Sequence, residues 1–460
     1  MVQTLKLVSP VNGEIYAERP ICSQGEAEAA IDRGRKAQAD WARRPLAERT
    51  RIVRDAVAAL RAMNDEIVPE LAWSMGRPIR YGGEIGGVEE RAYHMADIAE
   101  AALRPITVED SDRFKRYIAR EPLGLVLVMA PWNYPYLTAI NTIAPALIAG
   151  NAVVLKHATQ TLLTGERFEQ AFAKAGLPAH VFTNLFLDHA TTERLLAAGR
   201  FDFVNFTGSV DAGRTMERAV AGTFTGIGLE LGGKDPGYVL PDADLDAAVA
   251  TLIDGAMFNS GQCCCGIERI YVAEPLFQDF VERAVAIVSD YVLGNPLEEA
   301  TTLGPMAHKR FADLVRAQTA DAIAAGARPL IDAGRFPADD GGTYLAPQIL
   351  VDVDHGMRVM REESFGPVVG IAKVRDDDQA IDLMNDSDFG LTASLWTRDA
   401  ERAAAIGSRL RTGTVFMNRC DYLDPALCWT GCKDSGRGGA LSVVGYHNLT
   451  RPKSYHLKKA

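Results

Sequence analysis

The sequence predicts an α/β fold of two parallel-sheet lobes with a small β appendage. Three observations point there. Between residues 125 and 231, short apolar runs alternate with helical patterns, which is the rhythm of a doubly wound parallel sheet. The second half repeats that rhythm. The 460 residues also correspond to about three domains, or two large ones, at roughly 150 residues each.

The elements follow in order. Residues before about 104 read as helical. Ser23 and Glu26 have capping-box spacing ahead of the apolar Ala27, Ala30 and Ile31. A second helix is expected over 46–63, with Ile52, Val53, Val57 and Leu60 as its stripe, and a third over 87–103. Residues 104–122 are mixed, charged and β-tolerant, as in a hairpin arm. Strands are then expected at 125–130, 152–155, 203–206 and 227–231. Helices are expected at 138–149, 163–175 and 209–220. In the second half, helices are expected at 244–258, 276–291, 309–325 and 398–410, and strands at 268–273 and 413–418. The last residues, from Pro452, suit a strand that pairs outside its own lobe.

Composition narrows the function classes. Hydrophobic residues make up 47% and charged residues 24%, which excludes a disordered or collagenous chain. The net charge of −11 argues against a groove that tracks nucleic-acid phosphates. Seven cysteines, three of them adjacent, form no zinc spacing and no secreted disulfide pattern. A reducing, cytoplasmic setting is therefore expected, and the N-terminus shows no signal peptide. Residues 122–155 carry no charge and are long enough to span a bilayer. Pro131, Pro135, Pro145 and Gly150 interrupt them, and a lipid-exposed helix could not satisfy so broken a backbone.

Three segments carry chemistry. Asn259-Ser260-Gly261-Gln262 leads into Cys263-Cys264-Cys265. A thiol on a turn near a helix terminus is placed to become a thiolate, although three small buried residues would look the same. Glu230 alternates with leucines at a strand end before Gly232 and Gly233, where a carboxylate can act as general base or simply pair with Lys234. Asn133 follows a buried strand between Pro131 and Pro135. It can hold an oxyanion or merely bond its own turn. Together, a thiol, a carboxylate and an amide suit acyl chemistry through a thioester. No P-loop is present, and Gly226-Ile227-Gly228 lacks the third glycine of a dinucleotide fingerprint. Gly208-Ser209 opens a helix that could receive a phosphate, or Ser209 could simply cap it.

At these residues the sequence resembles the aldehyde dehydrogenase superfamily. Seven motifs carry the resemblance along nearly the whole chain. They begin at Ala130, Gly150, Phe206, Leu229, Asn259, Glu363 and Gly413. The resemblance implies Cys264 as nucleophile, Glu230 as general base and Asn133 as oxyanion donor. It implies Trp132, Lys156, Thr159, Gly208, Ser209, Glu363 and Phe365 around an NAD or NADP cofactor. Tyr134, Leu137, Thr138, Asn141, Phe258, Cys263, Cys265, Glu268, Asp421, Tyr422 and Trp429 fall where relatives line the substrate funnel. The implied domains are nucleotide-binding (1–103 and 123–233), catalytic (234–435), and an oligomerisation arm with its tail (104–122 and 436–460). The arm implies a homodimer or homotetramer. No metal, nucleic-acid or membrane partner is expected.

The expected reaction is NAD(P)-dependent oxidation of an aldehyde to a carboxylic acid. The rivals are transfer to coenzyme A, a thioesterase-like activity and a catalytically silent member of the fold. Glu230 favours water as the acceptor. One departure concerns the cofactor. NAD-preferring relatives often carry a glutamate three residues after the strand-end lysine, and here that position is Thr159. A 2′-phosphate would not be repelled, so NADP is expected to be used, alone or alongside NAD. Cys263 and Cys265 could trap Cys264 as a disulfide, or they are simply small wall residues.

Overall fold

The computed structural model describes residues 3–459. A six-stranded sheet organises the first lobe, in the order 436–437, 226–230, 203–207, 125–130, 152–157, 182–184. Its five main strands are parallel. Leu125–Ala130 and Ala152–His157 are buried along their whole length, which is why both read as unbroken apolar runs. Helix Pro135–Ala149 runs between them and is almost entirely buried. It is this uncharged stretch that mimicked a membrane span. Among the described residues, no helix is long and apolar enough to cross a membrane.

A seven-stranded sheet organises the second lobe, in the order 328–329, 348–351, 368–374, 267–273, 235–239, 392–396, 414–417. Only the edge pair 328–329 with 348–351 is antiparallel. Sequence periodicity gave four helices of this lobe, Leu245–Met257, Phe277–Ser289, Lys309–Ala324 and Ala400–Gly407, and the strands at 267–273 and 414–417, but missed helix Asp377–Asn385 and strand Gln348–Val351. It did not give Asp235–Val239, Val368–Val374 or Thr392–Trp396.

Other boundaries shift for physical reasons. Residues 4–20 are a β-hairpin, Thr4–Val8 with Ile15–Pro20, where a helical start was expected. Both strands are largely exposed, so they show no core periodicity. The capping box at Ser23 and Glu26 is formed, and helix Gln24–Trp41 follows. The helix expected from 138 begins three residues earlier, at Pro135.

The arm is a three-stranded antiparallel sheet, Ile106–Asp110, Phe114–Pro122 and Thr450–Lys458. The residues from 436 onward divide between two places. Gly436–Arg437 pairs with Gly226–Glu230 and covers that edge of the first sheet. Helix Ser442–Asn448 packs against helices Ile85–Leu103 and Pro135–Ala149, and Tyr446 donates from its hydroxyl to the Met95 carbonyl at 2.7 Å. Only Thr450–Lys458 joins the arm.

Candidate active site

Strand Leu125–Ala130 ends in Pro131-Trp132-Asn133-Tyr134, and Pro135 opens the next helix. Proline at the first helical position loses nothing, because that N–H has no intrahelical acceptor. The next two N–H groups, of Tyr136 and Leu137, donate to Glu84 Oε2 at 2.9 and 2.7 Å. Glu84 Oε1 takes Arg77 Nη1 at 2.7 Å, and this ion pair is buried. Arg77 Nη2 donates to the Asn133 carbonyl at 2.6 Å. The loop is therefore clamped from outside. The Asn133 side chain is buried, and its Nδ2 donates to the Gln262 carbonyl at 3.2 Å.

Glu230 is the last residue of strand Gly226–Glu230. The Thr207 hydroxyl donates to it at 3.3 Å. Burial nevertheless pushes its carboxyl up to about 7. The two glycines that follow are there for close approach. A Cβ on Gly232 would lie 2.4 Å from the Glu363 carboxylate, and one on Gly233 would lie 2.4 Å from the Cys264 carbonyl oxygen.

The cysteines sit on a turn between helix Leu245–Met257 and the buried strand Ile267–Ala273. Asn259 and Ser260 enter it with φ of 55°, a region that side-chain-bearing residues seldom occupy. Such strain needs strong bracing. Asn259 Nδ2 donates to the carbonyls of Asn133 and Gln262, both at 3.3 Å. The Ser260 hydroxyl donates to the Gly304 carbonyl at 2.8 Å, and the Ala307 N–H donates to Gln262 Oε1 at 2.8 Å. Cys263 and Cys265 are buried, while Cys264 is partly open. The neighbouring Cys263 and then Cys265 side chains hold the Cys264 thiol below its ordinary value, to about 5.

Two cavities meet at these residues. The first has a volume of about 190 Å³. Tyr134, Leu137, Thr138, Asn141, Phe258, Cys263, Cys265, Asp421 and Trp429 line it, as expected, together with Cys264 and Glu230. The sequence reading missed Arg91, Leu391 and Leu423 in the same wall. The second cavity has a volume of about 270 Å³. Trp132, Asn133, Gly208, Ser209, Glu363 and Phe365 line it, again with Cys264 and Glu230. Phe311 and Leu314 were missed there. Phe311 stacks on Trp132 at 5.4 Å, and Phe365 meets Trp132 edge-on at 5.6 Å.

Two expected funnel residues lie elsewhere. Glu268 pairs with Lys234 at 2.5 Å in the interior and accepts the N–H groups of Ser364 and Phe365 at 2.8 and 2.9 Å. It therefore supports the 363–365 loop from behind. Tyr422 is not part of the cavity wall, and its hydroxyl donates to Glu90. Asp421 and Leu423 face the cavity, so the residue between them turns out.

The second cavity suits a dinucleotide. Its wall is aromatic on one side. On the other side Ser209 caps an 11-residue helix whose free N–H groups can take a phosphate. Lys156 and Thr159 lie outside the immediate lining, at the end of strand Ala152–His157 and on the turn after it. The Lys156 ammonium is only 8% exposed and makes no ion pair among the described residues. Burial lowers its affinity for the proton, and Asp188 partly offsets this. A buried ammonium without a counter-charge is a ready partner for an anion. Arg91 is the matching case in the first cavity. It too is 8% exposed and without an ion pair, and its Nη1 donates to the Leu137 carbonyl at 3.0 Å and to Asn141 Oδ1 at 3.1 Å.

Comparison with known proteins bears on the family and the fold. The sequence profile of the aldehyde dehydrogenase family matches residues 2–455. A succinate-semialdehyde dehydrogenase named as NADP(+)-dependent, from Deinococcus radiodurans, is 34% identical over 97% of this chain and 93% of its own. An Escherichia coli protein named succinate semialdehyde dehydrogenase, NAD(P)+, is 33% identical over 96% of this chain and 95% of its own. The solved NADP-dependent glyceraldehyde-3-phosphate dehydrogenase of Bacillus halodurans, complexed with NADP, superposes with a TM-score of 0.93. It is 32% identical and covers 100% of this chain and 96% of its own.

Proposed function

The chain belongs to the aldehyde dehydrogenase family, and from that premise we propose how its own residues carry the reaction. The enzyme oxidises an aldehyde to a carboxylic acid with NAD or NADP. One observation carries the residue-level reading. Cys264 and Glu230 are walls of both cavities, so a group held in one can react with a group held in the other.

In this reading the Cys264 thiolate adds to the aldehyde carbon in the first cavity and a C–S bond forms. The carbonyl oxygen takes the negative charge and is met by the Asn133 amide and the Cys264 N–H. The dinucleotide, when bound in the second cavity, supplies the acceptor for the hydride lost from that carbon. Trp132, Gly208, Ser209, Glu363 and Phe365 would hold it, with Lys156 and Thr159 further along. A thioester remains on Cys264. Glu230 takes a proton from water, the water oxygen bonds to the acyl carbon, and the C–S bond breaks to release the acid. A general base at this position favours water over coenzyme A as acceptor.

Three finer readings rest on the same site. NADP is used, because Thr159 places no negative charge where a 2′-phosphate would lie and the Lys156 ammonium lies nearby in sequence and unpaired. The aldehyde carries a carboxylate, because Arg91 is a buried guanidinium without a counter-ion in the cavity wall. The names of two relatives point to the same substrate class. The protein is a homodimer or homotetramer joined through the arm, whose strands leave Ile106, Val108 and Leu457 exposed at 58%, 57% and 46%. Seven free cysteines support the cytoplasm as its compartment.

Initial rates test the core of this. Cys264→Ala abolishes cofactor reduction with every aldehyde. Because the Glu230 pKa is raised, the base form is present above about 7 and lost below it. Turnover limited by thioester hydrolysis therefore rises through that pH, and Glu230→Gln removes the rise. A pH profile unchanged in Glu230→Gln would refute the assignment. Thr159→Glu should lower kcat/KM with NADP at least tenfold and leave NAD nearly unaffected. A wild-type enzyme that reduces NAD alone rules this out. Arg91→Met should raise KM for succinate semialdehyde at least tenfold and leave KM for butanal within threefold, whereas equal change in both would sink the anchoring role. Removing residues 450–458 should lower the mass seen by light scattering to that of a smaller assembly. An unchanged mass would take the interface away from the arm.

A further inference from the structure

The acyl chemistry leaves one cluster in the first cavity unused. Cys263 Sγ and Cys265 Sγ lie 3.6 Å apart, and each donates to Asp421 Oδ1, at 3.2 and 3.3 Å. All three side chains are cavity walls, so the cluster can be reached from the substrate side. The thiols come from one turn and the carboxylate from a segment more than 150 residues further on, where Asp421 itself has φ of 55°. The fold thus holds three potential ligands on one small triangle, with the three ligand atoms within 4.8 Å of one another.

The size of that triangle is informative. Zinc binds thiolate sulfur at about 2.3 Å and carboxylate oxygen at about 2.0 Å in a tetrahedron. Tetrahedral angles then require S···S of about 3.8 Å and S···O of about 3.5 Å. The observed edges are 3.6, 3.2 and 3.3 Å, so each must lengthen by only a few tenths of an ångström. Hard cations such as Mg²⁺ or Ca²⁺ prefer six or more oxygens and would not choose two sulfurs. Arg91, whose charge acts on Cys265, helps to balance the surplus negative charge of two thiolates and a carboxylate.

We propose that Cys263, Cys265 and Asp421 form a binding site for a thiophilic divalent cation of the zinc class, and that its occupancy closes the first cavity beside Cys264. Each metal–sulfur bond forms as the thiol releases its proton to solvent, and no redox step is involved. The fourth position of the ion faces the cavity. Closure of the cavity rests on the reading that the aldehyde binds there, but ion binding itself does not.

Cobalt(II) reports on the site without an activity assay. Reduced protein, freed of chelator under nitrogen, is titrated with Co²⁺. One equivalent should give near-ultraviolet thiolate-to-cobalt absorption and the visible bands of a tetrahedral ion. Cys263→Ser and Cys265→Ser should each abolish these bands, and Asp421→Asn should weaken binding at least tenfold. Cys264→Ser and Cys428→Ser should keep them, which also controls for loss of fold. Zinc should displace the cobalt stoichiometrically, raise KM for the aldehyde with KM for the dinucleotide unchanged, and be reversed by chelator. Absence of the thiolate band overturns the proposal, as does a band lost only in Cys264→Ser. A cobalt band with no competition against aldehyde would keep the ion site and remove the aldehyde from the first cavity.

Discussion

The buried Arg77–Glu84 pair is the interaction on which the site depends. Its reach is wider than one contact. Glu84 closes the N-terminus of helix Pro135–Ala149, and Arg77 holds the Asn133 carbonyl. Arg77 Nε also donates to Asn259 Oδ1 at 3.4 Å, and Asn259 in turn braces Gln262. One ion pair thus fixes the Asn133 loop of the first lobe against the cysteine turn of the second. Breaking such a pair by removing one partner costs about 3–5 kcal/mol, because the other charge stays buried. The larger consequence is geometric. A reacting carbon must meet the amide and the thiol together, and displacement of about 1 Å can cost a hundredfold in rate.

Two titrating groups are pushed in opposite directions within this frame. Flanking thiols hold Cys264 down to about 5, and burial lifts Glu230 to about 7. Groups whose environments separate them in this way can take separate roles at one pH. In the proposed reading, with Cys264 as nucleophile and Glu230 as base, addition to the aldehyde would be favoured between those values and hydrolysis of the thioester above them. Glu363, lifted to about 8 mainly by burial with Glu268 adding to it, lines the second cavity and accepts the Gly233 N–H. The same N–H belongs to the residue pressed against the Cys264 carbonyl. The two cavities are therefore coupled through a few atoms of backbone at Gly232 and Gly233.

The residues proposed to carry the chemistry stood out in the sequence because Asn133, Glu230 and Cys264 each sit at the end of a strand or on a turn, inside short contiguous motifs. The bracing was not legible. Arg77 and Glu84 are charged residues of the kind that usually face solvent, and only the tertiary fold brings them together. Arg91 did carry a signal. It falls on the stripe of Val88, Ala92, Met95 and Ala99, where a helix should be apolar, and a charge there is either an error of register or a site. Glu268 and Tyr422 were misplaced for a simpler reason. Glu268 lies in strand Ile267–Ala273, where side chains alternate faces, and turns inward to Lys234, whereas the left-handed turn at Asp421 sends Tyr422 outward to Glu90. The first hairpin is too exposed to show a core periodicity, and the buried strands at 235–239, 368–374 and 392–396 lacked one distinct from the buried helices around them.

The chain carries a net charge of −11, and four buried cations, Arg49, Arg91, Lys156 and Arg269, make no ion pair among the described residues; Arg49 and Arg269 lie away from both cavities and donate to backbone carbonyls. A protein does not normally strand a guanidinium or an ammonium in its interior, since desolvation is several kcal/mol per ion. Lys156 stands at the carboxyl end of a first-lobe strand, and Arg91 stands in the wall of the first cavity. Surface acidity does not neutralise either one, because each is enclosed. In the proposed reading, the negative charge facing Lys156 and Arg91 arrives with the ligands. On the strand-end side a phosphate answers it, with no carboxylate at Thr159 to compete. On the other side the proposed carboxylate of the aldehyde would answer it, beside a cavity wall that is otherwise mostly apolar. If those assignments hold, substrate and cofactor selection are two instances of one electrostatic device, a buried cation left for a ligand's anion.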